Sequence, residues 1–376
     1  MDDGIIERVR EVIARSGMTQ RQVAEEIGID APKLTKSLKG ERRFTSYELA
    51  ALAELDGRTV DWLLTGAEPR RLTFAYRSTL LDREVDDNAG RETASLIADR
   101  FQVALDLGFA PAIPPLPKAR ISGAYVETAD RFARAAVERI AGPVRALDVA
   151  ALIRALEEQF GVNVAVEELP ERVDGLSHAD GDLRIIIAAS TDRSGRQRFT
   201  LAHELGHLLL GDANGSVIEE ELFIKGGGHQ ESRANAFAAA FLMPAAEVDD
   251  VLGHRDVSDA FDELVWEFRV SPEAMAWRLC NLGKLTKAAA TTFARKTLNA
   301  VAADLGRLDE HAVRIRESST LRPARRLTGA YIGAFLAGEV AAAPVAEISG
   351  FSIDAVYALR DNLELPEEWP VLFEQE

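Results

Sequence analysis

Apolar residues recur at helical spacing from the first turns of the chain. Ile5, Val9 and Val12 are followed by Val23, Ile27, Leu34 and Leu38, and then by Leu49, Leu52 and Leu55. Glycines at 17, 28, 40, 57 and 66 fall between or after these runs, where helix ends favour a left-handed residue. Residues 1–70 are expected to form five short helices. Residues 72–108 read as one long charged helical stretch without proline, either an arm between domains or a dimerising helix. The segment APAIPPLPKAR (110–120) holds four of the 14 prolines and predicts a stiff, extended linker. Helices are expected over 124–141 and 147–160. The period then changes. NVAVEEL (163–169) alternates as a strand, and LRIIIAA (183–189), after a turn-like ADGD, reads as a second. Helical spacing returns over 196–210, 231–243 and twice within 258–282, and an alanine-rich helical region runs from 286 to about 363. The expected class is mainly α with a small β-sheet (α+β). The expected parts are 1–70, a helical linker and hinge over 71–120, a domain over 121–285 and a helical C-terminal domain over 286–376.

Composition narrows the class. Of 376 residues, 47 % are apolar and 28 % charged, which excludes a mainly disordered or fibrous chain. No window holds the ~20 uninterrupted apolar residues of a membrane span, and the acidic start MDDGIIERVREV is not a secretory signal. A single cysteine, Cys280, excludes a disulfide framework or a cysteine-based zinc site. Together these features point to the cytoplasm and away from membranes. The net charge of −17, from 44 basic and 61 acidic residues, argues at first sight against a nucleic-acid partner.

The strongest chemical signal is His203-Glu204-Leu205-Gly206-His207. On a helix, positions four apart share a face, so two imidazoles can bind one zinc ion at about 2.0–2.1 Å each. The adjacent Glu204 is then placed to take a proton from a water on the metal. A catalytic zinc wants a third protein ligand and an open position. Downstream candidates are Asp212, Glu219, Glu220, Glu221, His229 and Glu231. Glu231 is favoured because it opens ESRANAFAAAFLMP, whose Ala234, Ala238 and Ala239 allow close packing on the histidine helix. His229 lies in a glycine-rich loop, GGGHQ. His178, just before the motif, is a candidate oxyanion stabiliser, with Tyr125 and Tyr331 weaker ones. His254 and His311 lie among charged residues and are expected at the surface.

RQRFTLAHELGHLLLGD followed by ESRANAFAAAFLMP resembles the ImmA/IrrE family of bacterial metallopeptidases, and VDGLSHADGDLRIIIAAS and FRVSPEAMAWRLCNLG extend the likeness over roughly 145–285. The resemblance implies a zincin-like fold, zinc ligands His203, His207 and Glu231, and Glu204 as general base. It also implies cleavage of repressors or regulators that control stress or mobile-element genes.

Residues 19–40, TQRQVAEEIGIDAPKLTKSLKG, have the rhythm of a helix-turn-helix. Thr19 caps the first helix, Gly28 makes the turn, Asp30 caps the second, and Pro32 lies in its first turn. With Ile27, Ile29, Leu34 and Leu38 buried, Lys33, Lys36 and Lys39 point outward, followed by Arg42 and Arg43. Such a helix can lie in the major groove. The segment from about Ile5 to Gly66 resembles Cro/repressor-type (XRE) domains, and the resemblance implies phosphate contact by Gln20; Thr35 completes the expected DNA face with Thr19. Residues 1–70 carry 11 basic and 13 acidic groups, so only −2 of the net −17 lies there. The acidic total thus does not exclude an operator DNA partner read through residues 19–43, by a homodimer.

The expected function is a DNA-binding transcriptional or stress regulator whose zinc endopeptidase domain cleaves a repressor-type protein. The alternatives are a regulator or antitoxin-like protein whose peptidase-like domain senses a ligand or partner without cleavage. In the C-terminal part, VAEISGFSIDAVYAL repeats the helix-glycine-helix rhythm without a basic row and reads as packing or dimerisation.

Overall fold

The computed structural model describes residues 3–58, 60–66, 75–78, 88–117, 125–170, 173–211 and 227–360. The chain divides into two compact units, 1–71 and 72–376.

The first unit holds five helices: α1 (Asp3–Ser16), α2 (Gln20–Glu26), α3 (Ala31–Leu38), α4 (Ser46–Leu55) and α5 (Val60–Thr65). Val9, Val12, Val23, Ala24, Ile27, Leu34, Leu38 and Leu52 are buried in one small core closed by Trp62 and Leu63. The ends of the middle helices are written in the sequence. Thr19 forms a capping box with Gln22, and the Asp30 side chain accepts from the Lys33 backbone N–H ahead of Pro32. Gly28 takes φ +72° between the two helices, a left-handed value that a side chain would strain.

The second unit is built around a four-stranded sheet with helices on both faces. Its elements begin with β1 (Ala75–Ser78), α6 (Asn88–Asp106), α7 (Tyr125–Val137), α8 (Val149–Phe160), β2 (Asn163–Glu167), β3 (Val173–Asp180) and β4 (Leu183–Ala189). Then come α9 (Ser194–Leu210), α10 (Gly227–Leu242), α11 (Ala245–Leu252), α12 (Val257–Glu267), α13 (Pro272–Asn281), α14 (Lys287–Phe293), α15 (Leu298–Asp304) and α16 (Leu308–Ser319). The last are α17 (Arg325–Leu336), α18 (Ala342–Ser349) and α19 (Ile353–Arg360). The strand order is β1-β3-β4-β2, with β1 and β4 antiparallel to β3 and β2 parallel to β4. This is the expected mainly helical class with a small sheet.

Burial on both faces explains the strand sequences. Ile186 and Ala188 face the core shared with α7–α10 and α12–α15, while Leu183, Ile185 and Ile187 face a second core made with α6 and α17–α19. A strand covered on both sides has no solvent face, so β4 is apolar from Ile185 to Ala189, and its one charged residue, Arg184, donates to the Pro114 and Phe160 carbonyls.

Three expectations about organisation change. The stretch 72–108 is not one helix: Ala75–Ser78 pairs with β3, and only Asn88–Asp106 is helical. The proline-rich run is a strap, not a free hinge, over its described residues 110–117. Arg184 donates to the Pro114 carbonyl (2.8 Å), Arg139 to Pro115 (2.7 Å) and Arg326 to Ala112 (2.5 Å). A Cβ on Gly161 would lie 2.8 Å from Pro114 Cδ, so the glycine that ends α8 at φ +66° also lets the strap pass. The C-terminal helices complete the unit's two cores: Ala290, Val301 and Ala302 enter one, and Leu327, Tyr331 and Val345 the other. Among the described residues, no helix is long and apolar enough to cross a membrane.

Candidate functional site

Helix α9 is almost wholly buried from Ser194 to Leu210. Burying histidines and a glutamate in such a helix costs free energy unless each has a partner, and each has one. His203 and His207 are one turn apart with their Nε2 atoms 3.0 Å from each other. From α10, one Glu231 oxygen lies 3.2 Å from His203 Nε2 and the other 3.2 Å from His207 Nε2. Burial pushes the Glu231 carboxyl up, but when the imidazoles are protonated, as an alternative to a bound cation, their hydrogen bonds and charge hold it down at about 2.

This triangle fits a metal ion. Tetrahedral zinc with bonds of 2.0–2.1 Å separates its ligands by about 3.3–3.4 Å, close to the 3.0–3.2 Å found here. The tautomer agrees. His203 Nδ1 lies 3.0 Å from Asn235 Oδ1, a partner that can only accept, so Nδ1 carries the proton and Nε2 keeps a lone pair. A lone pair facing a carboxylate at this range is repulsive without a cation between them. His203, His207 and Glu231 therefore stand as a candidate metal centre, as the spacing argument favoured.

Two glycines and an alanine set the approach of the elements. A Cβ on Gly206, the fourth residue of the motif, would lie 3.0 Å from Phe237 and 3.4 Å from the Ala234 backbone. A Cβ on Gly175 would lie 2.6 Å from Thr200 Cγ2 and 3.5 Å from Glu204 Cγ. The first closes α10 onto α9, and the second lays β3 on the opposite flank of α9. There Ser177 Oγ donates to Glu204 Oε2 at 2.7 Å, deep in the interior.

A cleft of about 1550 Å³ reaches His203, Glu231 and Asn235 and continues past Asp130 and Arg131 on α7 and Trp277 on α13. Small-molecule pockets usually hold about 300–1,000 Å³, so this one has room for an extended polymer segment. Arg196, on its rim, is clamped to Asp174 by hydrogen bonds of 2.6 and 2.7 Å.

The other site expectations divide. His178 follows Ser177 on β3, so the alternation of a strand turns it to the opposite face of the sheet from Glu204. It cannot serve as an oxyanion stabiliser at this centre. Tyr331 is buried in the second core, donating to the Arg100 carbonyl at 3.1 Å. His311 is buried against expectation and lines the far part of the cleft, its pKa lowered by burial and by Arg314. His254 is exposed as expected. Asp212, Glu219, Glu220 and Glu221, and the side chains of Tyr125 and His229, lie outside the described residues. Two functional partners were missed. Asn235 is one turn from Glu231 on the same helix, a spacing that could have flagged it. Ser177 meets Glu204 only across the sheet-helix interface, which no local pattern announces.

In the first unit, Lys33, Thr35, Lys36, Lys39 and Arg43 are exposed along and after α3, and Thr19 and Gln20 are exposed at the start of α2. Lys33 Nζ also lies 3.1 Å from Asp30, and Thr35 Oγ1 donates to the Ala31 carbonyl. Arg42 departs from the expected outward row. It grips buried Glu48 with two hydrogen bonds of 2.5 and 2.9 Å and reaches Ser37 at 3.0 Å. The hydrogen bonds from Arg42 hold the Glu48 carboxyl below its usual range. Arg42 is a clamp between α3 and α4, because a bidentate pair with a buried carboxylate outweighs exposure of the guanidinium.

The second unit thus presents the helix-borne metal triad, adjacent glutamate and long cleft of a metallopeptidase-type domain. Residues 157–280, which include His203, Glu204, His207 and Glu231 and part of the cleft wall, match the model of the IrrE N-terminal-like domain, a peptidase family. The chain is also similar to the radiation response metalloprotease IrrE of Deinococcus deserti, with 39 % identity over 84 residues. That alignment covers 19 % of this chain and 27 % of the relative, so the chain spans about a quarter of the relative's length.

Proposed function

We propose that the chain is a DNA-binding regulator whose second unit is a zinc-dependent endopeptidase acting on a repressor-type protein. The observation that carries the peptidase reading is the metal-sized triangle of His203, His207 and Glu231 beside buried Glu204. The IrrE-like match over 157–280 supports the same reaction class.

When bound, zinc supplies Lewis acidity and makes a water acidic enough to attack at neutral pH. Glu204 accepts the proton of the attacking water and returns it to the leaving amine nitrogen. Ser177, donating to Glu204 Oε2, fixes the carboxylate in one rotamer. The cleft holds the substrate segment in extended form.

DNA binding rests on α3, which caps and buries as a recognition helix does and exposes Lys33, Lys36 and Lys39. A homodimer would place two such helices on two half-sites.

The test is incubation of the zinc-loaded chain with the repressor-type proteins encoded beside it, compared with Glu204→Gln. Cleavage by the wild type, with a loss of about 10²-fold or more in the variant, is expected for a general base. Equal cleavage by both removes Glu204 from the reaction. No cleavage by either, with stoichiometric zinc bound, defeats the peptidase reading and leaves a sensing domain.

A further inference from the structure

We propose that Ala75–Ser78 is a resident pseudosubstrate, occupying the sheet edge on which an extended peptide substrate docks. A substrate strand must displace it. The inference rests on the peptidase reading of the second unit.

Strand β1 runs antiparallel along β3, with Ala75 opposite Ser177, Tyr76 opposite Leu176 and Arg77 opposite Gly175. Two of these β3 residues lie beside Glu204. Ser177 donates to its carboxylate, and Gly175 leaves the space a Cβ would fill 3.5 Å from its Cγ. A backbone paired on this edge therefore passes alongside the proposed base.

Glu204 has no exposed surface, although the cleft reaches His203 and Glu231 in the same centre. Asp174, the β3 residue just before Gly175, lines the cleft. The edge that β1 covers and the cleft are thus continuous at β3.

Pairing along a sheet edge is a recurrent way to bind an extended peptide, because main-chain hydrogen bonds give affinity without demanding one sequence. The β1 ladder suits a removable occupant. It spans four residues, and its register shifts between Arg77 and Ser78, where Ser78 pairs with Val173. Short, irregular edge strands contribute little independent stability. An incoming strand replaces each main-chain hydrogen bond that β1 gives up, so the exchange is close to balanced. Ala75 follows the last residue of the first unit, Arg71, by four positions in sequence. Occupancy of the edge is therefore tied to the segment that joins the proposed DNA-binding unit to the peptidase.

The test replaces Ala75–Ser78 by Gly-Ser-Gly-Ser in the full chain and adds a fluorescein-labelled peptide of sequence LTFAYRSTL, residues 72–80. All binding is measured metal-free. The expected result is fluorescence anisotropy that saturates at tenfold or more lower concentration with the variant than with the intact chain. The same peptide with N-methylated backbone, unable to donate ladder hydrogen bonds, is expected not to bind. Equal binding to variant and intact chain, binding of the N-methylated peptide, or no binding to a variant that still takes up one zinc overturns the proposal. Should the replacement fail to take up zinc, Tyr76→Pro with Arg77→Pro, which removes the N–H of two consecutive residues, one of which must face β3 in an antiparallel ladder, weakens the β1 pairing and carries the same expectations. A chain that binds the peptide but cuts no protein defeats the peptidase reading alone. A chain that cuts a repressor equally fast with and without β1 defeats the pseudosubstrate alone.

Discussion

Asn235 shows how much a single uncharged side chain sets at the candidate metal centre. By accepting from His203 Nδ1 at 3.0 Å it fixes which imidazole nitrogen faces Glu231. Partners of this kind typically change metal affinity by about 10- to 100-fold. Asn235→Ala is expected to weaken zinc by that factor in competition with a chelator, while Asn235→Asp, which still accepts, retains most of it. At this scale the sequence was informative wherever spacing on one helix carried the chemistry. His203, Glu204 and His207 are marked by a four-residue step, and Glu231 by the small residues that follow it, although its helix begins four residues earlier, at Gly227, rather than at Glu231 itself. His178 was misplaced because chain proximity to the motif says nothing about which face of a strand a residue takes. Arg42 was misplaced because its partner, Glu48, lies on the next helix and is buried only in the folded unit.

At the scale of elements, α8 and α17 are joined through a carboxylate. Glu157 Oε1 accepts the backbone N–H of Arg325 at the start of α17, 3.1 Å away. Burial raises the Glu157 carboxyl to about 7, against the lowering effect of its backbone partners and of Arg325 and Arg326. The folded state therefore binds this proton more tightly than the unfolded chain, whose carboxyl titrates near 4.5. That contribution is fully present below pH 4.5 and is lost as pH rises through 7. A shift of this size amounts to about 3 kcal/mol. Glu157→Gln keeps the acceptor but does not titrate. Its stability relative to the wild type is expected to improve by about 3 kcal/mol between pH 4.5 and 8, read from urea denaturation midpoints. A pH-independent difference would show that Glu157 titrates normally. Elements with their own period or caps were legible: α2 and α3 by Thr19 and Asp30, β4 by its apolar run, α9 by its buried face. Strand β1 was not, because AYRS has no alternation of its own and becomes a strand only by pairing with β3. The proline strap was read as a hinge because its anchors, Arg139, Arg184 and Arg326, are scattered through later sequence.

For the whole molecule, charge is sorted between the units rather than averaged. Residues 1–70 carry a net −2 and the rest of the chain −15. An operator would therefore be held through a small basic face against the repulsion of a strongly acidic remainder. Specific DNA binding is expected to fall steeply with salt. Lys36→Ala with Lys39→Ala should weaken it similarly for all sequences and reduce the slope of log affinity against log salt by about 2. An unchanged slope in electrophoretic shift titrations would remove these lysines from the DNA contact.

The two-faced sheet also sets an order of events during synthesis. The five-helix unit contains its whole core within the first 66 residues and can close while the rest of the chain is still being made. The face of β4 that carries Ile185 and Ile187 cannot. Its cover includes Leu327, Tyr331 and Val345, which leave the ribosome long after the histidine helix. A nascent chain would thus display a finished five-helix head attached to a second unit whose rear wall is still missing. A truncation between β4 and α17 would release the head with an open, adhesive sheet, a product that quality-control proteases should remove.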